Sequence, residues 1–150
     1  MAQSTTVVNG CDVVIEIDGE AGTLVDISGS SNQLTMDFSI TAEMYRSFGS
    51  RYPGRLTCGK DAAFALTVLY SPTVGEGREL IEEWFHTSDG DARSYQFDIP
   101  DSSVGSLRYS GEAILESYSV ENVEAGNASA IQITANILPA GDVTLDTIAS

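Results

Sequence analysis

The chain has 150 residues, the usual size of one domain, and its 42% hydrophobic and 19% charged content is that of a folded protein rather than a disordered one. Twenty-two acids against seven bases give a formal net charge of −15. That excludes nucleic-acid binding by phosphate neutralisation and makes an anionic membrane surface a poor partner, because both need clustered cations.

The charge is unevenly placed. Residues 1–45 hold seven acids and no base, residues 109–150 hold six acids and no base, and all seven bases lie between Arg46 and Arg108. No apolar run nears the ~20 residues of a membrane-spanning helix. The start, Met1 to Thr6, lacks the basic and apolar regions of a signal peptide, so the chain reads as made and folded in a cytoplasm. Cys11 and Cys58 form no disulfide framework or zinc spacing and read as reduced core or near-core residues.

In chain order, period-2 alternation dominates. Val13, Ile15 and Ile17 share one face of a first strand that ends in an Asp18-Gly19 turn. Leu34, Met36, Phe38 and Ile40 alternate with Thr35, Asp37, Ser39 and Thr41. Between about 42 and 60 the alternation stops. That stretch carries Tyr45, Arg46, Phe48, Arg51, Tyr52 and Arg55, residue types enriched at protein interfaces, and reads as a long interface loop rather than one packed on its own domain. Phe64 to Tyr70 is apolar on both faces, as in a central strand. From about 76 to 86 the period changes: Leu80 and Trp84, and Ile81 and Phe85, are spaced four apart, giving the apolar stripe of a helix, with Glu76 and Glu79 in its first turns. Ser71-Pro72 precedes it and Ser88-Asp89-Gly90 follows it as a turn. Tyr95, Phe97 and Ile99 form a strand closed by Pro100. A run from Leu107 to Val120 keeps strand character with Gly111 as a bulge or bend. In the last long strand, Ile131, Ile133, Ala135 and Ile137 alternate with Gln132, Thr134 and Asn136. The expectation is a mainly β protein: a β-sandwich or partly closed barrel of about seven or eight strands, one flanking α-helix at about 76–86 and the loop at about 42–60. Residues 1–150 read as one domain, with 1–11 and 142–150 as terminal arms.

Material for catalysis is thin. The one histidine, His86, stands at the end of the helix and reads as a C-terminal cation or surface residue. Glu82-Glu83 and Asp89-Gly90-Asp91 contain carboxylate pairs, but with 22 acids such pairs arise by chance, and the second lacks the spacing of a calcium loop. No nucleophile elbow, phosphate loop or dinucleotide fingerprint occurs. Asn127-Ala128-Ser129 matches a glycosylation sequon, which has no meaning without secretion. The chain is not expected to be an enzyme, and no cofactor or metal is implied.

In this order the elements resemble the major tail tube proteins of tailed bacteriophages, from about Cys11 to Ile148. The likeness rests on Asp26-Ile27-Ser28-Gly29 leading into the strand to Ile40, then Phe48-Gly49-Ser50 and Pro53-Gly54, and Gly59-Lys60-Asp61 opening a strand. Thr67-Val68-Leu69-Tyr70 precedes the helix, and Tyr95 to Pro100, Tyr109-Ser110-Gly111-Glu112-Ala113 and Leu138-Pro139-Ala140-Gly141 follow it. The resemblance implies a structural virion protein of a phage tail, of the long non-contractile type, made in the host cytoplasm. Six copies would form rings that stack into a hollow tube, meeting a tail terminator, a tape-measure protein and baseplate or tip proteins, with DNA passing through as unbound cargo and no membrane partner. Thr35, Asp37, Ser39, Gln132, Thr134 and Asn136 are then candidates to face the lumen, where acidity repels phosphate. The loop residues from Tyr45 to Arg55 are candidates for contacts between subunits or rings. Alternatives are a related tube or ring component, such as a contractile-tail or secretion-system tube or a tail terminator, and a monomeric carbohydrate-binding β-sandwich.

Overall fold

The computed structural model describes residues 9–88, 90–126 and 128–149. Eight strands form one antiparallel sheet: β1 (Val14–Asp18), β2 (Leu24–Asp26), β3 (Ser31–Tyr45), β4 (Gly54–Leu69), β5 (Arg93–Ile99), β6 (Leu107–Glu121), β7 (Gln132–Pro139) and β8 (Thr144–Thr147). A 3₁₀ turn at Ser28–Ser30 joins β2 to β3, and one helix, α1 (Gly77–Thr87), follows β4. Strand order is β2-β1-β5-β6-β7-β4-β3. The mainly β architecture with one helix is as the alternation predicted; the sheet is curled but not closed.

The curl follows from where the apolar faces point. Alternate residues of β1, β4, β5 and β7 (Ile15 and Ile17; Phe64, Leu66 and Val68; Tyr95 and Phe97; Ile133, Ala135 and Ile137) are buried on one face. Phe64 of β4 meets Tyr95 and Phe97 of β5 edge to face, with centroids 5.1 and 5.5 Å apart, although β6 and β7 lie between those strands. Only a sheet bent around its own apolar face makes that contact. Each buried Ile, Leu, Val or Phe among them contributes about 1.5–3 kcal/mol. Tyr95 is the exception in kind: its buried hydroxyl has no hydrogen-bond partner among the described residues, and burial pushes its pKa up to about 12.

The helix is too short to stand alone and lays Leu80, Ile81 and Trp84 into this core. Its first turn rests on β4: the Gly77 amide donates to Ser30 Oγ at 3.0 Å, and a Cβ on Gly77 would lie 2.9 Å from Val68 Cγ1. At the other end the Trp84 indole donates to the Asp91 carbonyl at 2.9 Å. Asp89, within the turn expected there, lies outside the described residues, as does Asn127 of the sequon.

Four expectations are corrected. Residues 42–60 are no loop: Thr41 to Tyr45 pair rung by rung with Cys58 to Gly54, so β3 and β4 form one long hairpin whose turn is only Arg46–Pro53. Neither face of the outer part of this hairpin, residues 41–58, is buried, so it lacks the one-sided burial that makes alternation visible. Cys11 and Cys58 are exposed rather than core; Cys58 lies on the solvated hairpin. The bulge of β6 falls between Leu115 and Ser117, not at Gly111. A Cβ on Gly111 would lie 2.8 Å from the Asp142 carbonyl oxygen and 3.0 Å from the Tyr95 hydroxyl, so that glycine serves close approach. Residues 142–150, expected as an arm, carry β8, which pairs with Leu107–Ser110 of β6.

Candidate functional site: the basic arm and the polar sheet face

The seven bases divide into two groups. Three hold the body together. Arg78 pairs with Glu82 one helical turn on, at 2.7 Å. Arg93, buried under Trp84, pairs with Glu83 at 2.7 Å and donates to Ser88 Oγ and to the Asp18 carbonyl. Arg108 grips the buried Asp98 through two nitrogens, at 2.7 and 3.2 Å, and that hydrogen-bonded carboxylate raises the arginine's pKa above its ordinary value. Both members of the Glu82-Glu83 pair are thus engaged by arginines, which leaves no free carboxylate pair there for acid–base work. His86 lies in the last turn of α1 as expected and shares a 2.6 Å hydrogen bond with the Tyr118 hydroxyl. Among the described residues no group of three metal-ligating side chains gathers, and no helix is long and apolar enough to cross a membrane.

The other four bases, Arg46, Arg51, Arg55 and Lys60, belong to the hairpin arm, and none makes an ion pair among the described residues. Residues 42–60 contain one acid, Glu43, so the arm carries +3 and the remainder of the chain −18. The candidates proposed for subunit contacts all gather at its end. Tyr45 and Gly54 form the last rung, and a Cβ on Gly54 would lie 2.2 Å from Tyr45 Cζ, so the tyrosine ring lies directly across that glycine. Beyond it Ser50 Oγ donates to the Tyr52 carbonyl within the turn. Phe48 is 108% exposed and Tyr52 84%. Met44 and Leu56 are also exposed, so the tip is apolar as well as cationic. The arm's freedom comes from the sheet. β7 pairs with β4 only from Phe64 to Leu69. Then the chain detours at 140–143 and continues as β8 along the same edge of β6. The half of β4 from Gly54 to Ala63 therefore pairs with β3 alone.

Where the two edges part, an open groove of about 1270 Å³ lies between the arm's base and β8. Phe38 of β3 and Tyr109 of β6 stack across it with centroids 5.9 Å apart.

The six residues proposed to face a lumen lie on one sheet face, opposite the core. Register places Thr35 beside Ala65, Asn136 and Ser117 in one row across β3, β4, β7 and β6, and Gln33 beside Thr67, Thr134 and Ser119 in the next. Asn136 Nδ2 donates to Ser117 Oγ at 3.0 Å, and the Thr67 and Thr134 hydroxyls are 3.4 Å apart. Gln132 pairs with Glu121, Ser39 with Asp61, and Asp37 with Ala63. The face is hydroxyl and amide at its centre with carboxylates at its margins. The sequence reading missed Ser117, Ser119 and Thr67. The bulge after Leu115 reverses the parity of β6, which hides the two serines, and the apolar run of β4 masks Thr67.

No protein-family model and no curated protein sequence matches the chain. Solved structures do match. A chain from the tail of an empty gene transfer agent particle, refined with C6 symmetry, is 17% identical with a TM-score of 0.69, over 94% of this chain and 100% of that one. A chain of the SPP1 tail tube is 13% identical with a TM-score of 0.72, over 96% and 81%. A chain of the sheath–tube complex of the extracellular contractile injection system PVC is 11% identical with a TM-score of 0.69, over 98% and 100%. At such identities the likeness is one of fold, and the fold of this chain is that of tail tube subunits.

Proposed function

We propose that the chain is the repeating subunit of a tail tube in a phage-like particle: six copies close into a ring, rings stack, and the polar sheet face lines the channel through which DNA passes. The observation that carries the reading is the match, over nearly the whole chain, to chains of a tail with C6 symmetry, of a tail tube and of a sheath–tube complex. The residues are consistent with it. A channel must conduct a polyanion without holding it, and the rows through Thr35 and Thr134 offer hydroxyls, amides and carboxylates but no cation. The arm, with four cations that make no ion pair among the described residues in a chain of −15, supplies contacts between copies. Tail terminator, tape-measure and baseplate or tip proteins are the further partners of this role, and the virion tail its location. A long non-contractile tail is the form proposed. A contractile machine is the second reading, which the likeness to a chain of the PVC sheath–tube complex favours.

Electron microscopy of the purified protein tests this. Hollow filaments or six-fold rings are expected, with the face bearing Thr35, Asp37 and Thr134 turned to the channel. Solid fibrils, or rings lined by α1, contradict the proposal.

A further inference from the structure

Asn9 is the one asparagine of the chain that is followed by glycine. Both residues, and Cys11 after them, are exposed and precede β1. The Cys11 amide donates to Asn9 Oδ1 at 3.0 Å, which holds the carboxamide against the backbone that follows it and polarises its carbonyl. The Gly10 nitrogen lies between the two bonded groups in sequence, and it carries no side chain to hinder it: a Cβ on Gly10 would meet nothing within 4 Å. Three other places among the described residues share part of this arrangement. At Asp26 the same turn forms, with the Ser28 amide on Oδ1 at 2.9 Å, but the intervening Ile27 is 1% exposed and its amide donates to the Ile15 carbonyl. At Asp101 the turn recurs with Ser103, and hydrogen bonds from Ser103 and Ser106 hold the carboxyl pKa below its ordinary value, so it stays an ionised and unreactive carboxylate. At Asp18 a glycine follows, but the Gly19 amide donates to the Thr23 carbonyl at 3.0 Å. The carboxamides of Asn122 and Asn136 donate to the Ala130 carbonyl and to Ser117 Oγ, and branched residues, Val123 and Ile137, follow them.

We infer that Asn9 is a site of self-modification, at which the folded turn promotes conversion of the asparagine to aspartate and isoaspartate. The Gly10 nitrogen gives up its proton to solvent base and bonds to Asn9 Cγ. The bond from Cγ to the side-chain nitrogen breaks, that nitrogen leaves as ammonia with a proton from water, and a five-membered succinimide joins the two residues. Water then opens the ring at one carbonyl to give aspartate, or at the other to give isoaspartate. Nothing is oxidised or reduced, and water is the only co-reactant. As the nitrogen attacks, negative charge builds on Asn9 Oδ1, where the Cys11 N–H is already placed, so that amide serves as an oxyanion donor. The product takes the formal charge of the chain from −15 to −16. The isoaspartate form also reroutes the main chain ahead of β1, where Gly10 and Cys11 wall a cavity of about 420 Å³ with Val13, Leu34 and Met36. The inference does not depend on the tube-subunit reading.

The test incubates the full chain at pH 8, folded and unfolded in guanidinium chloride, and follows each asparagine by peptide mapping in a mass spectrometer. Isoaspartate is counted by methylation with an isoaspartyl methyltransferase. In the folded chain Asn9 should convert about tenfold or more faster than Asn32, Asn122 and Asn136, the ratio given by ~1.4 kcal/mol of barrier. It should also convert faster in the folded chain than in the unfolded one. Cys11→Pro removes the donor N–H and keeps the Asn9-Gly10 pair, so its folded and unfolded rates should coincide, whereas Cys11→Ala should keep the parent's ratio. Melting curves confirm that both variants are folded. A parent chain that converts more slowly folded than unfolded, or a Cys11→Pro chain that keeps the parent's ratio, overturns the inference.

Discussion

Glu16 lies on β1 with Asp26 opposite it on β2 and Gln96 opposite it on β5, two residues from Asp98. Burial first, then the charges of Asp26 and Asp98, push its carboxyl above the ordinary range, while Arg108 pulls it down. The sign follows. A carboxyl whose pKa is higher in the folded than in the unfolded chain is destabilising when ionised, and that penalty vanishes as pH falls through its folded value. Glu16→Gln should therefore raise the melting temperature at pH 7.5, by about 1–3 °C for a fraction of a kcal/mol at this partly solvated site. The gain should shrink to nothing by pH 4. A lower melting temperature at pH 7.5, or a gain independent of pH, contradicts this. None of it was legible in the sequence, where Glu16 is only the polar step between Ile15 and Ile17. Its neighbours are a property of strand register. The same holds for Asp98, which alternation places on the wet face but which is 1% exposed because Arg108 and Ser102 satisfy its oxygens.

At the scale of elements, the helix was legible because its stripe is one-sided: Leu80, Ile81 and Trp84 are buried. Only Phe85 of the expected stripe stays half out, its ring against Tyr118. The outer half of the β3–β4 hairpin was illegible for the opposite reason. Both of its faces are wet, so neither face constrains residue type, and its Arg, Gly and Pro content imitates a loop. That exposure makes the arm dispensable to folding. Excising residues 43–56 and joining Ala42 to Thr57 through Asn-Gly, a two-residue hairpin turn, should leave a soluble subunit melting within a few degrees of the parent, since no excised side chain is buried. Thermal melts and gel filtration check the fold, and microscopy should find no filaments. A truncated chain that fails to fold would mean that the arm supports the body.

At the scale of the whole molecule, the charge asymmetry seen in the bare sequence has become a spatial one. The three bases of the body are internal fasteners, and the four of the arm face outward, so under the proposed function an arm of +3 meets other copies' bodies of −18. The screening length falls from about 10 Å at 0.1 M salt to about 3 Å at 1 M. Assembly followed by light scattering should therefore slow about tenfold or more between those conditions, and a rate indifferent to salt would rule out charge steering. The polar face was legible, because Thr35, Asp37, Ser39, Gln132, Thr134 and Asn136 follow from alternation alone. The groove was not, since it is made by the parting of β4 from β7, a matter of topology. The rung-by-rung pairing of the arm carries a last consequence. One rung added to each strand lengthens the arm by ~3.4 Å and turns the tip over, and two rungs restore its face. An arm of this construction can be retuned to a different spacing between copies only in steps of about 7 Å, so its length is a quantised variable that evolution can change without disturbing the core.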